Sequence, residues 1–187
     1  MEPQQDNWGN EVERLRPLLV LLARQNLHPR LWKDVDPSGV VQETLVEAHR
    51  GREKFQGDGT LALKGWVRSI LLNNLRDAIR KVHREMRDVD REVSMVAAFA
   101  ETTRRLEAQL SGGGPSPSEI AMKNEDLVDL ACALERLEPA QRDAVEYHHL
   151  QGRSLSETAS LLGRSEAAAA ALLHRGLKKL KEHLKKG

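Results

Sequence analysis

Between Arg164 and Gly187, seven lysines and arginines stand against two acids. That density of cations on a short segment suits binding to an anionic polymer, because Lys and Arg neutralise backbone phosphates without reading what lies between them. The overlapping stretch "GRSEAAAAALLHRGLKKLKEHL", Gly163 to Leu184, carries five alanines, Ala167 to Ala171, where base-reading side chains would be expected. Alanine cannot form a bidentate contact with a base. It can touch a thymine methyl, and it lets a helix backbone approach a groove closely. The helix N-terminus favours a phosphate, although Glu166 opposes that.

A second cationic zone runs from Lys64 to Asp88, with seven bases against three acids. Between Glu119 and Glu146 the balance reverses, to eight acids against three bases. The whole chain of 187 residues is nearly neutral at +1, so two local anion-facing surfaces are expected rather than one global charge. Glu146, His148 and His149 are the one cluster with metal-ligand chemistry. Adjacent histidines on a helix diverge by about 100°, and no H-E-x-x-H spacing occurs, so no metal is expected. A single cysteine, Cys132, excludes an internal disulfide and a zinc set. There is no Gly-rich phosphate loop and no nucleophile with a nearby base. The expectation is a binding protein without cofactor, and not an enzyme.

The elements that position these residues are helices. Hydrophobic residues make up 40% of the chain but aromatics only 3%, which favours a core of packed Leu, Ala and Val. Ser154-Leu155-Ser156-Glu157 is a capping box, Gly163 suits a left-handed helix stop, and Ser165 caps the next helix. With Ala159 small enough for a close crossing, these offsets predict a helix-turn-helix. At about 100° per residue, Ala169, Leu172, Leu173, Gly176, Leu177, Leu180 and Leu184 fall on the core side of the second helix. Ala167, Ala171, His174 and Lys178 lie opposite.

"SGGGPSPS", Ser111 to Ser118, is a flexible break. The expected organisation is all-α: two small helical domains, residues 10–88 and 119–187, joined by a linker over 89–118. In the first domain Leu15, Leu18, Leu19 and Leu22 have helical spacing, and Asp36-Pro37 starts a helix reaching about Arg50. "FQGDGT" is a loop. A long helix follows, with Leu63, Trp66, Val67, Ile70, Leu71, Asn74, Leu75, Ala78, Ile79 and Val82 in one stripe. Asn74 has no evident reason to be there. "VAAFAETTRRLEAQL" is a further candidate helix. In the second domain, Ser116-Pro117-Ser118-Glu119 caps a helix to about Leu137, and Pro139 opens another that Gly152 ends. The longest apolar run, Leu18 to Ala23, is too short to span a membrane, and a cytoplasmic location is expected.

"SGVVQETLVEAHRG", "FQG" and "LKGWVRSILLNNLRDAIRK" resemble sigma region 2, and "LERLEPAQRDAVEYHHLQGRSLSETASLLGRSEAAAAALLHRGLKKLKEHL" resembles sigma region 4. Together they are similar to bacterial RNA polymerase sigma factors of the sigma-70 family, in the extracytoplasmic-function (ECF) group. The resemblance implies a chain that binds core RNA polymerase, opens the −10 element of a promoter and contacts the −35 element. It implies that Val41, Gln42, Glu43, Thr44 and Glu47 meet the clamp helices of the largest polymerase subunit. It implies that Trp66, Asn73, Arg76, Arg80, Lys81 and Arg84 face the −10 strand, with Asn73 near a flipped base. Arg164, Ser165, Ala167, Ala168, Ala171, His174, Arg175 and Lys178 would face the −35 duplex. The flap of the second-largest subunit and an inhibitory anti-sigma protein are further partners of the family.

The chain departs from the family pattern at Gly39 and Val40, where Asp and Leu are usual. It departs again at Ala168, Ala170, Ala171 and Leu172, where relatives commonly carry Thr, Lys, Ser and Arg. Promoter choice is therefore expected to lean on the −10 side, with DNA shape supplying part of the −35 discrimination. Two other readings share these residues: a stand-alone helix-turn-helix regulator, and a sigma-like protein that binds polymerase without initiating.

Overall fold

The computed structural model describes the backbone of residues 4–27, 29–86 and 117–185, with side chains for 8–27, 29, 31–82 and 126–185. Among the described residues every regular element is helical. The chain forms two compact units, Met1–Asn124 and Glu125–Gly187. The division falls inside a helix, a few residues after the boundary read at 119. The candidate helix over "VAAFAETTRRLEAQL" and most of the linker lie outside the described residues.

The first unit is built from α1 (Gln4–Glu13), α2 (Arg16–Asn26), α3 (Pro37–Arg50) and α4 (Gly59–Met86). α3 packs against α1, α2 and α4. Its core is aliphatic: Leu18, Leu19 and Leu22 of α2 meet Val41 and Leu45 of α3 and Leu63, Leu71 and Leu75 of α4, all almost fully buried. Asp36 caps α3, its carboxylate accepting from the amides of Ser38 at 3.0 Å and Gly39 at 2.9 Å, with Pro37 at the first helical position. These two bonds satisfy donors that a helix start otherwise leaves open.

Two features of this unit had no periodic signal. α1 contains Gly9 and few apolar residues, and it is held by the Trp8 ring and the fully buried Val12. A short 3-10 turn, Pro29–Lys33, follows α2. There the Arg24 guanidinium lies 4.1 Å from the Trp32 ring centroid, and the Trp32 indole N–H donates to the Leu27 carbonyl at 3.3 Å.

The second helical set comprises α5 (Pro117–Glu135), α6 (Pro139–Val145), α7 (Leu155–Leu162) and α8 (Glu166–Leu184). α6 runs on into a wider π turn, Glu146–Leu150, before Gly152 (φ 69°) ends it. α8 packs on α6 and α7. Ala159, Ala169 and Gly176 are buried where helices meet, and Leu180 is buried further along. Leu172, Leu173 and Leu177 are only half-buried, and Leu184, expected on the core side, is 45% exposed. It lies in the last turn of α8.

Candidate functional site

The outer face of α3 is the first candidate surface. On a wheel of about 100° per residue, Gln42, Val46, Arg50, Glu43 and Glu47 follow one another across about 140°, and all five are exposed. Gln42 and Glu47 form the two margins, and each is tied to a neighbouring helix. On one side Arg16 of α2 donates from Nη2 to Gln42 Oε1 at 2.9 Å, while its Nε and Nη2 hold Glu13. On the other side Asn74 of α4 donates from Nδ2 to Glu47 Oε2 at 3.3 Å and to Thr44 Oγ1 at 3.2 Å. Thr44 in turn donates to the Val40 carbonyl at 2.8 Å. Asn74 therefore stands in an apolar stripe because it donates to a lone pair of a buried hydroxyl and reaches past it to a carboxylate.

Two of the five residues expected on this surface are not on it. Val41 and Thr44 are both 0% exposed and support the face from beneath. Their positions fall on the inner arc of the same wheel, where α2 and α4 cover them. Val46, which sequence reasoning missed, stands on the face between Gln42 and Arg50 and is 38% exposed. An apolar residue at that angle was the available signal.

α4 carries the second surface. Trp66, Asn73, Arg76, Arg80 and Arg84 fall within about 80° of arc on its wheel. Asn73 and Arg80 are exposed and Arg76 is half-buried. The Arg84 side chain lies outside the described residues. Asn73 Oδ1 accepts a long 3.4 Å bond from Arg76, and Arg80 pairs with Asp77 at the same distance. Trp66 is half-buried in a three-ring cluster, its centroid 6.0 Å from Trp8 and 5.4 Å from Phe55. Gly51 makes room for it: a Cβ there would stand 3.3 Å from the Trp66 ring. One side of the indole is thus committed to packing.

Lys81 does not share this arc. It turns about 60° beyond Trp66, and it lines a cleft of about 640 Å³ with Asp34, Asp36, Glu43, Asn74 and Asp77. It is exposed, and its angle on the helix sets it apart from the other residues expected to face the −10 strand.

The third surface is α7 and α8. Ser154 Oγ accepts from the Glu157 amide at 3.2 Å, and the Glu157 carboxylate accepts from the Ser154 amide at 2.8 Å. The same carboxylate accepts from the Ser154 hydroxyl at 2.8 Å. The amide and hydroxyl of Ser154 hold the Glu157 carboxyl below its usual range. Gly163 takes φ 61°, and Ser165 accepts from the Ala168 amide at 3.3 Å. This is the turn the sequence predicts. It presents Arg164, Ser165, Ala167, Ala171, His174, Arg175 and Lys178 to solvent, with Ala168 half-buried.

Glu146, His148 and His149 are occupied in the π turn. Glu146 is 1% exposed and pairs with Arg142, Nε to Oε1 at 3.9 Å. His148 Nδ1 lies 2.8 Å from the Arg153 carbonyl, so Nδ1 carries the proton it donates there. His149 packs edge-on against His148 at 5.0 Å, and burial, then the neighbouring imidazole, pushes its pKa down. Among the described residues no three His, Cys, Asp or Glu side chains gather as a metal site. No described helix is long and apolar enough to cross a membrane.

Comparison with known proteins gives two family matches in chain order. Sigma-70 region 2 matches residues 12–85, and Sigma-70, region 4 matches residues 127–180. The RNA polymerase sigma factor CarQ of Myxococcus xanthus is 31% identical over 163 residues, covering 87% of this chain and 80% of CarQ. The ECF RNA polymerase sigma factor SigE of Mycolicibacterium smegmatis is 28% identical over 151 residues, covering 81% of this chain and 52% of SigE. The chain thus spans about half the length of SigE. The ECF RNA polymerase sigma factor SigX of Bacillus subtilis is 35% identical over 68 residues, 36% of this chain and 35% of SigX.

Proposed function

The chain belongs to the sigma-70 family, and we propose that it is an ECF-group sigma factor that binds core RNA polymerase and directs promoter-specific initiation. The observation that carries this is the pairing of the two surfaces. A polar docking face on α3 lies in the region 2 match, and a capped helix-turn-helix bearing a row of cations lies in the region 4 match.

The mechanism is binding rather than catalysis. Gln42, Glu43, Val46 and Glu47 dock on the clamp helices of the largest subunit, with Val46 as the apolar centre of a polar rim. Docking brings α4 to the −10 element. Unstacking a base there costs roughly a few kcal/mol, and a pocket with hydrogen-bonding groups and a stacking wall offsets that cost. The Asn73 amide supplies donor and acceptor, the free edge of Trp66 supplies the wall, and Arg76, Arg80 and Arg84 hold the strand by its phosphates. Lys81 acts less directly, since it faces the acidic cleft. α8 enters the −35 major groove with Ala167 and Ala171 forward, while Arg164, His174, Arg175 and Lys178 hold phosphates. The region 4 unit also meets the flap of the second-largest subunit, and an anti-sigma protein is the expected inhibitor. The site of action is the cytoplasm, where polymerase and promoter are.

Purified protein mixed with sigma-free core polymerase from the same organism should co-elute as a stoichiometric complex and start run-off transcription at its promoter. Failure to co-elute with active polymerase overturns the proposal. Co-elution without initiation at any promoter overturns the initiation half of the proposal and leaves a sigma-like polymerase binder.

A further inference from the structure

We propose that Asn74 and Arg16 are positioning residues for polymerase docking: they fix the two margins of the α3 face by holding Glu47 and Gln42. The inference rests on the assignment of that face to core polymerase.

Gln42 and Glu47 are long, exposed side chains on a helix, which would ordinarily sample several rotamers, and fixing each on binding would cost side-chain entropy. Here neither is left to itself. The Asn74 amide spends one N–H on Thr44 Oγ1 at 3.2 Å and the other on Glu47 Oε2 at 3.3 Å. Because Thr44 donates its own proton to the Val40 carbonyl, its lone pair is free to accept, and the relay is consistent in donors and acceptors from end to end. Asn74 is half-buried and Thr44 fully buried, so the anchor end does not move with the surface. Arg16 does the same from the opposite side, using a guanidinium already fixed on Glu13 to hold Gln42 Oε1 at 2.9 Å. Two different helices thus reach the two edges of one face and leave Glu43, Val46 and Arg50 between them. Apolar residues at both 74 and 44 would serve the core as well; what the Asn74 amide adds is the reach to Glu47.

The test is a pair of double-mutant cycles in the full-length protein, reading the dissociation constant for core RNA polymerase. Asn74→Ala and Glu47→Ala form one cycle, Arg16→Ala and Gln42→Ala the other. Each positioning variant should weaken binding about three- to tenfold, and that loss should vanish when its target side chain is already alanine. Asn74→Asp keeps the size of the residue, removes both donors and sets a like charge beside Glu47, so it should weaken binding more than Asn74→Ala. Thermal unfolding of each variant confirms that it is folded at the assay temperature. Wild-type affinity in Asn74→Ala and Asn74→Asp, or a loss that persists unchanged in the Glu47→Ala background, overturns the inference while leaving the sigma assignment intact. A folded wild-type protein that does not bind core polymerase overturns both.

Discussion

A methyl group added at Gly176 would stand 2.9 Å from Cγ2 of Val145 and 3.0 Å from the backbone carbonyl of Gln141. α8 crosses α6 at that glycine, and the spacing between the two helices is set by the missing side chain. Gly176→Ala should therefore destabilise the region 4 unit. Helix propensity alone would favour alanine by about 1 kcal/mol. Overpacking against a backbone oxygen that cannot rotate away costs about 1–3 kcal/mol and should win. Thermal unfolding would read this as a lower midpoint. A raised midpoint would mean that α8 can slide without consequence.

Trp8 supports Trp66 from α1. Trp8→Ala removes one ring of the cluster and should cost about 1–3 kcal/mol, less than for a fully buried tryptophan because Trp8 is half-buried. It should also shift the remaining indole emission to longer wavelength as Trp66 becomes wetter. Unchanged stability and emission would show that α1 is not needed to hold the ring.

Acid should loosen the second unit in two stages. His149 has its pKa lowered from 6.5 by burial and then by His148, so the neutral imidazole is the form the fold prefers. The unfolded chain takes up the proton first, and stability begins to fall as pH drops below about 6.5. Glu157 has its carboxyl held low by Ser154, so its contribution is intact above the ordinary carboxylate range and is lost as pH falls through the folded value. Unfolding midpoints measured from pH 8 down to about pH 2 should show both losses. His149→Gln should abolish the first, and Ser154→Ala should reduce the second while lowering stability at neutral pH by about 1 kcal/mol.

Recognition of the −35 element should be tolerant. With methyls at 167 and 171, single base changes there should cost well under the roughly 1–3 kcal/mol of a bidentate contact. Changes in the −10 element should cost more. Arg175→Ala and Lys178→Ala should weaken holoenzyme binding about equally on all sequences and flatten its salt dependence. A −35 mutation with a full bidentate penalty would show that some other side chain reads bases.

The caps and turns were legible because each depends on local chemistry. Asp36-Pro37, the Ser154 and Glu157 box, Gly163 and Ser165 sit where their offsets place them. What escaped was tertiary. α1 is held by the ring contacts of Trp8 and by the buried Val12, too few apolar residues for a periodic stripe, so no pattern announced it. The π turn at Glu146–Leu150 adds to a helix without a distinctive residue type. On α3, spacing alone does not say that α2 and α4 close over Val41 and Thr44, or that Asn74 belongs to Thr44 and Glu47. Lys81 lies near Arg76, Arg80 and Arg84 in sequence but lines the acidic cleft with Asp34, Asp36 and Asp77.

The alanine run on α8 is uniform in letters and uneven in freedom. Ala169 is 0% exposed and locked between helices, whereas Ala167 and Ala171 point outward. Larger side chains at the two outward positions would disturb no packing, and the strong helix propensity of their neighbours would tolerate most of them. The helix is therefore an open template: its target could be rewritten at two codons without refolding the domain that carries it.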